Sequence, residues 1–530
     1  MHTKHWQAVC GYLTDGCESL MATSMTMKDL FYAITEQNYV MMSWTDGRHT
    51  IQLHSAEFRK KVISIAHKLQ SVLGNQSGMV GLHLKNRPVW PAIFWGILMS
   101  GHIPLIMDPR HELFFYRDLP RTANLACITE DRQYPSVILP DELLSDTFSA
   151  DAALFEKCWA DEVVFAVAED NGKTTAVRHN GASLCGQILR LGHLYRSGLP
   201  LIYPKSEGPL KAAINNSFSS MSGFLPAVIW YPYFGVEECF IHTDDVGELC
   251  DTCRTFGTTH LFASGQVFDL LAATVMDMLD QVAPKLSGEI TDWLTGNAVI
   301  NNFNRLSQFL SVSAKLIKRV FGKKMRCLVS IGSAPKDQTV KIFNHLGLVF
   351  SKGYCSAEFG IVTMDLSEHA EERCDGSFGH FLSGVAGTVG EDGKLLLSGD
   401  CHAAGYLGER DDVPITEPYQ TGLSATIDMH GKLRLSEANS EKSESSLYEP
   451  ETEKKVRSLY AVILGIPLEN IGSGMHFFMD LGGDSLSYFM LLQHIEVDFG
   501  VRLLPEERIY MTTSRHAAEV LYKYQRKKDM

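Results

Sequence analysis

Residues Val89–Met107 read VWPAIFWGILMSGHIPLIM, and the way this stretch is read decides the fold. Its length is that of a bilayer-spanning helix, about 20 residues. Pro91 and Pro104 would each cost such a helix hydrogen bonds, and Gly96, Gly101 and His102 weaken it further. A buried helix over Pro91–Ser100, a turn at Gly101 and a short buried strand over Ile103–Met107 explain it better. The stretch is then core, and no membrane span is expected.

The same alternation continues on both sides. Ser55–Leu73 carries helical apolar periodicity, Met79–Leu84 reads as a strand, and Val163–Ala168 and Cys327–Ile331 are short apolar runs of the buried-strand kind. Helices alternating with buried strands predict an α/β fold with largely parallel sheets. From Gly376 to Leu435 the texture changes to short β runs punctuated by glycine, as in Gly393–Gly399 (GKLLLSG) and Gly431–Leu435 (GKLRL). A small β subdomain is expected there. Ser436–Pro450 (SEANSEKSESSLYEP) is rich in Ser and Glu and buries almost nothing, which predicts a flexible acidic linker. Beyond it, helices are expected over Thr452–Leu464, Leu486–Phe499 and Arg515–Tyr524. The division is therefore 1–435 (β subdomain about 376–435), 436–450 and 451–530, with no internal repeat.

The 530 residues are enough for three or four folding units at about 150 residues each. A composition 45% hydrophobic and 21% charged can fill sizeable cores. Forty-eight Lys and Arg against 62 Asp and Glu give a net charge of −14. That balance argues against a nucleic-acid partner or an anionic membrane surface, since either would call for cations. Met1–Cys10 lacks the apolar core of a secretory signal, and twelve scattered cysteines suit a reducing compartment, so a cytoplasmic location is expected. The CxxC at Cys250 and Cys253 has no second pair or nearby histidine and reads as two thiols inside an ordinary helix.

Phe478–Leu486 reads FMDLGGDSL. Two glycines give a tight exposed turn, and Asp484-Ser485 opens a helix whose apolar period runs Leu486, Phe489, Met490, Val497. A serine at a helix start is commonly a cap, but a hydroxyl there also lies where the helix end favours a phosphate. With a helix on either side, the segment resembles the phosphopantetheine attachment motif of acyl and peptidyl carrier proteins. The resemblance implies a four-helix carrier domain. In it Ser485 takes a 4′-phosphopantetheine arm from coenzyme A through a phosphopantetheinyl transferase, with Asp480, Leu481, Gly482, Gly483, Asp484 and Leu486 forming the motif. Between Asp480 and Gly500 stand Asp480, Asp484, Glu496 and Asp498 and no Lys or Arg. That is a face for a basic transferase or partner, or a plain solvated surface.

Five further segments occur in a telling order: Ala92–Pro109 (AIFWGILMSGHIPLIMDP), Met325–Pro335 (MRCLVSIGSAP), Lys352–Phe359 (KGYCSAEF), Gly376–Thr388, and Lys394–Tyr406 (KLLLSGDCHAAGY). Together they resemble the large N-terminal portion of adenylate-forming enzymes, the superfamily of peptide-synthetase adenylation domains, acyl-CoA synthetases and fatty acyl-AMP ligases. The resemblance implies two stacked α/β sheet subdomains and a small β subdomain, and a site where an acid attacks the α-phosphorus of ATP with Mg present. Lys173, six residues before His179, Tyr354, and Glu358 as a Mg ligand match that site.

Other positions depart from it. Glu169 and Asp170 stand where the family has a Ser/Thr/Gly phosphate cradle, and two carboxylates there would repel a triphosphate. Ala357 replaces a threonine, and Leu423 replaces the ribose-binding aspartate that should follow Tyr419-Gln-Thr-Gly422. No hinge is recognisable in Ser436–Asn439, and the mobile subdomain with its catalytic lysine is missing between the β subdomain and the carrier. Phe218–Gly223 (FSSMSG) lacks the acid with which amino-acid-activating members hold an ammonium, so a pocket there would suit a neutral acyl or aryl chain. Ile290–Lys324 is placed like an insertion of fatty-acyl ligases. Its Lys315, Lys318, Arg319, Lys323 and Lys324 read most simply as a solvated face.

Three readings follow. In the first, a carrier is fused to a degenerate scaffold, loaded in trans by another ligase or acyltransferase, and serves a downstream synthase or tailoring enzymes. The pathway would make a peptide, polyketide or modified fatty acid on carrier-bound thioesters. In the second, the chain is an active ATP- and Mg-dependent acid–thiol ligase loading its own carrier, with Glu358 and Lys173 as its best support. In the third the whole chain is an inert relic, against which the intact DLGGDSL stands.

Overall fold

The structure is a computed structural model. It describes residues 17–529 apart from 48, 75–76, 112, 117, 123–124, 133–135, 145–154, 156, 169–173, 193–209, 242–244, 300–302, 409–411, 437–449, 473–474, 476, 479–480 and 504. It forms two compact units: Met1–Phe240 with Gly353–Glu368 and Ser377–Asn439, and Ile241–Lys352 with His369–Gly376 and Ser440–Met530.

In the first unit the helix Ser55–Leu73 (α1) precedes the strand Met79–His83, and the helix Trp90–Met99 (α2) leads from it to the strand Ile103–Ile106. Those two strands pair in parallel, Met79 opposite Ile103, because a helical crossover returns the chain in the same direction. Every residue of α2 is buried. Gly96 lets α1 come close, since a Cβ there would sit 2.5 Å from Ile65 Cγ2. The long apolar stretch is therefore core, and among the described residues no helix is long and apolar enough to cross a membrane.

The full sheet has eight strands, in the order Val413–Pro414, Gly405–Tyr406, Thr174–Asn180, Glu162–Ala168, Ile103–Ile106, Met79–His83, Ala126–Thr129, Val137–Ile138. From Glu162–Ala168 to Val137–Ile138 its pairs are parallel, whereas those on the other side are antiparallel. The hairpin Glu162–Ala168/Thr174–Asn180 pairs without slip from Glu162↔Asn180 to Ala168↔Thr174. Glu169, Asp170 and Lys173, in its connection, lie outside the described residues. The helix Gly181–Gly192 (α3) follows. A four-stranded antiparallel sheet, Val385–Val389, Lys394–Gly399, Tyr419–Ile427 and Leu433–Leu435, forms where glycine-punctuated β runs were expected.

In the second unit the strands His260–Phe262 and Cys327–Ile331 pair in parallel. The helix Gly265–Val282 (α4) starts at the N-cap Ser264, whose side chain accepts from Val267 N. Buried Asp269 ties α4 to the helix Asp337–His345 by accepting from Thr339 Oγ1 at 2.5 Å and Lys336 N at 3.1 Å. Cys250 and Cys253 are buried in the helix Val246–Phe256, and burial pushes their thiols up to about 12 and about 11. They are inert, as an ordinary helix predicts. Lys315, Lys318, Arg319, Lys323 and Lys324 are all exposed.

The C-terminal helices are Pro450–Leu464 (α5), Ser485–Phe499 (α6), the short Pro505–Arg508, and Ser514–Asp529 (α7). Val456, Tyr460, Phe477, Leu491, Ile495, Met511 and Leu521 lie in their core. Nearly all of the expected linker, 437–449, lies outside the described residues.

Candidate functional site

Two places were singled out by sequence. The first is the turn before α6. Gly483 N donates to Phe477 O at 2.9 Å and Gly482 N to Phe478 O at 3.2 Å, folding the chain back on itself. Gly482 has φ 70°, a left-handed value that a side chain makes costly. Gly483 is glycine for a different reason: a Cβ would lie 2.3 Å from Phe477 Cε1 and 2.8 Å from Phe477 O. Phe477 cannot yield, because it is buried against Tyr460, Phe478 and Tyr488 and its N–H donates to Thr512 O at 2.7 Å.

The turn delivers the chain to a capping box. Asp484, in extended backbone, accepts from Ser487 N at 2.7 Å, and Asp484 N donates to Ser487 Oγ at 2.8 Å. Ser487 Oγ also lies 2.6 Å from Asp484 Oδ1, and these bonds hold the Asp484 carboxyl below the usual carboxylate range. Ser487 is thus consumed by capping, while Ser485 is the first residue of α6. Leu481 packs against the carrier core, and Asp480 lies outside the described residues.

The helix forms where its apolar period predicts one. Leu486, Phe489, Met490 and Val497 are exposed, and the residues that α6 buries are Tyr488, Leu491 and Ile495. Both sets fit a helical period, because this helix is apolar on two faces. Periodicity alone cannot say which face turns inward. Of the four acids, Glu496 is partly spent inside the fold, accepting from Leu503 N at 3.0 Å.

The second place is the candidate nucleotide site, in the first unit. Tyr354 is buried, and its hydroxyl is pushed far above the usual phenol range by that burial. Ala357, Tyr406, Tyr419 and Leu423 pack on the apolar cluster that holds Tyr354 and Phe359. The only carboxylate that the sequence analysis placed at this spot and the structure describes is Glu358, and it is engaged: Tyr406 Oη donates to Glu358 Oε1 at 3.0 Å and lies 3.0 Å from Tyr419 Oη. Ala403 N donates to Glu358 O at 2.6 Å. Among the described residues no group of three or more His, Cys, Asp or Glu could hold a metal ion.

The loop carrying Glu358 is also stapled from α3, which sequence reading missed. Gln187 Nε2 donates to Phe359 O at 3.1 Å and to Cys401 O at 2.9 Å, and Arg190 Nη1 donates to Phe359 O at 2.5 Å. The signal was faint: two long polar residues three apart in the mostly apolar run Gly181–Gly192 (GASLCGQILRLG).

His179 makes a further tie. Its Nε2 lies 2.7 Å from Ala357 O, a carbonyl that can only accept, so Nε2 carries the proton and Nδ1 accepts from Ser183 Oγ at 3.0 Å. Burial lowers this imidazole to about 4 from its ordinary 6.5. The unfolded chain therefore binds a proton that the folded one refuses between those values, and stability falls as the pH drops through that window. The fall attributable to His179 is about 3 kcal/mol. Urea unfolding between pH 7 and 4 checks it: His179→Gln should flatten the acid side of the wild-type curve, and an unchanged slope would remove this assignment.

The comparisons relate the fold to that of adenylate-forming enzymes and the turn before α6 to a phosphopantetheine attachment site. Residues 454–510 match the family described as "Phosphopantetheine attachment site", which implies a covalent 4′-phosphopantetheine. The Klebsiella oxytoca NpsA N-terminal subdomain in complex with 3-hydroxyanthranilyl-AMSN aligns with 77% of this chain and 99% of its own, at 16% identity and TM-score 0.56. The N-terminal domain of FACL13 from Mycobacterium tuberculosis aligns with 78% of this chain and 99% of its own, at 14% identity and TM-score 0.54. The McyG A-PCP complexed with phenylalanyl-adenylate aligns with 94% of this chain and 98% of its own, at 10% identity and TM-score 0.56. At such identities the likeness is one of fold. No curated protein matches the sequence.

Proposed function

We propose that the chain is a carrier protein whose arm sits on Ser485, fused to an adenylate-forming-type domain that no longer adenylates. On this reading residues 451–530 are the carrier, 1–435 the scaffold and 436–450 the tether. The observation that carries it is the turn: Gly482 and Gly483 deliver the chain to the start of α6, where Ser487 is committed to capping with Asp484 and Ser485 is the first helical residue. The residues fit the group. A helix N-terminus supplies unpaired N–H groups and a positive dipole end for a phosphate. When bound, the arm supplies a thiol that holds an acyl or aminoacyl group as a thioester.

Loss of adenylation is supported by the other site. Where the family would set a ribose-binding carboxylate, Leu423 packs on the cluster of Tyr354 and Phe359, and Glu358 is bonded to Tyr406. Another ligase or acyltransferase would then load the carrier, with a phosphopantetheinyl transferase before it and a synthase or tailoring enzyme after it. The setting would be cytoplasmic, in a peptide, polyketide or fatty-acid type of pathway.

The test is an intact mass. The full chain is given a broad-specificity transferase and coenzyme A, then ATP, Mg and a panel of acids. A pantetheine adduct that gains no acyl mass supports the scaffold-carrier reading. An ATP-dependent acyl adduct would establish the active ligase that Glu358 still leaves open, and the absence of any adduct would favour a relic. Leu423→Asp separates the first two again. It should lower stability by about 1–3 kcal/mol, since a carboxylate enters an apolar cluster, and give no ATP binding by calorimetry. Measurable nucleotide affinity in that variant would point to a weakened enzyme instead.

A further inference from the structure

The core of the C-terminal helices does not close on itself. Ala273 of α4, only 7% exposed, belongs to the same apolar cluster as Val456, Tyr460, Tyr488 and Met511, and Leu270 packs against it. Helix α4 and the carrier helices lie in one compact unit, and the elements that α4 meets there are the turn Ile509–Thr512 and α6.

Helix α4 is built with two sides. Val267, Phe268, Leu271, Val275 and Leu279 are buried, and Phe268 packs its ring on Phe343 and Phe350. Leu270, Ala273, Thr274 and Asp277, at spacings of three, four and seven, make a separate stripe. In the middle of that stripe Ala273 presents only a methyl group, which allows close approach of the turn. The turn is firmly shaped, because the Tyr460 hydroxyl donates to Met511 O and Phe477 N holds Thr512 O.

The opposite condition holds on α6. Leu486, Phe489 and Met490, beside and one turn beyond Ser485, are 69%, 57% and 46% exposed. Seating on α4 leaves them open.

We infer that the carrier works from a fixed seat: the stripe Leu270–Ala273–Asp277 of α4 is an intramolecular docking surface for the turn Ile509–Thr512. Enzymes acting on the arm come to the open end of α6 without displacing the carrier. The inference deepens the carrier reading and rests on it only for the role of the arm. The large domain thereby has work that needs no nucleotide, namely to hold its own carrier at a fixed orientation.

The experiment uses the full chain without an arm, so its result stands whether or not Ser485 is modified. Isoleucine methyl relaxation compares Ile463, Ile466, Ile471 and Ile495 in the carrier with Ile290, Ile331 and Ile342 in the rest of the second unit. The seat predicts that carrier methyls relax at the slow-tumbling rate of the large body, and that Ala273→Arg and Leu270→Glu sharpen them. Wild-type carrier signals that are already sharp would overturn the seat, even if a variant failed to fold. Broad signals that persist in both folded variants would overturn this stripe as its location. Arm addition by a transferase, followed by mass, tests the open face: equal rates in wild type and Ala273→Arg support it. A marked acceleration on release would show that the seat covers the attachment end.

Discussion

Ser485→Ala is expected to take no pantetheine mass under conditions in which the wild-type chain is fully converted, while Ser487→Ala still takes it. The two serines are two residues apart in the first turn of one helix, so composition cannot tell them apart. Ser487 has a structural task of its own. The Ser487 hydroxyl accepts from Asp484 N at 2.8 Å and lies 2.6 Å from the Asp484 carboxylate, which ties it down as the reciprocal half of a capping box. Removing it should cost about 1 kcal/mol of helix stability and slow arm addition, without abolishing it. Intact mass after a timed reaction measures both. An adduct on Ser485→Ala, or none on a folded Ser487→Ala, would move the attachment to the other serine.

The second large effect is expected at the neighbouring glycines, which are glycine for different reasons. At Gly483 the added methyl of alanine would meet the ring and carbonyl of Phe477, both held on every side, so the turn must open. Overpacking of that kind costs about 1–3 kcal/mol, a sizeable share of the stability of so small a domain. A fall of about 5–15 °C in the carrier's unfolding temperature is expected for Gly483→Ala. At Gly482 nothing lies within 4 Å of the added Cβ, so Gly482→Ala carries only the left-handed backbone penalty, about 1 kcal/mol. Calorimetry of the full chain, following the carrier transition, should rank the two variants in that order. The reverse ranking would mean that φ, and not the Phe477 contact, governs the turn.

Much of this was legible in the sequence, for identifiable reasons. Ser55–Leu73 forms over the residues that its period predicts, and Cys327–Ile331 over those of its apolar run. Such elements are specified locally, by a long periodic face or by a short fully buried strand. The turn at Gly482 and Gly483 was readable because its chemistry is local too. What escaped depends on residues far apart in the chain. Nothing near Gln187 or Arg190 announces a partner some 170 residues away, and Tyr406 meets Glu358 across 48 residues. The inward face of α6 escaped for another reason. Its two apolar faces give a pattern with two solutions, and only packing against Tyr460 and Phe477 selects the one with Tyr488 inside.

The bond from Tyr406 to Glu358 also bears on how the sequence can drift. Removing the carboxylate would take one of the two partners of the Tyr406 hydroxyl and leave it Tyr419, and an acid at Leu423 would place a charge on the apolar cluster before any nucleotide could reward it. Each such single step lowers stability first. Selection for a stable fold would then be enough to keep Glu358. Its preservation across descendants would record a hydrogen bond in the fold and would say nothing about magnesium.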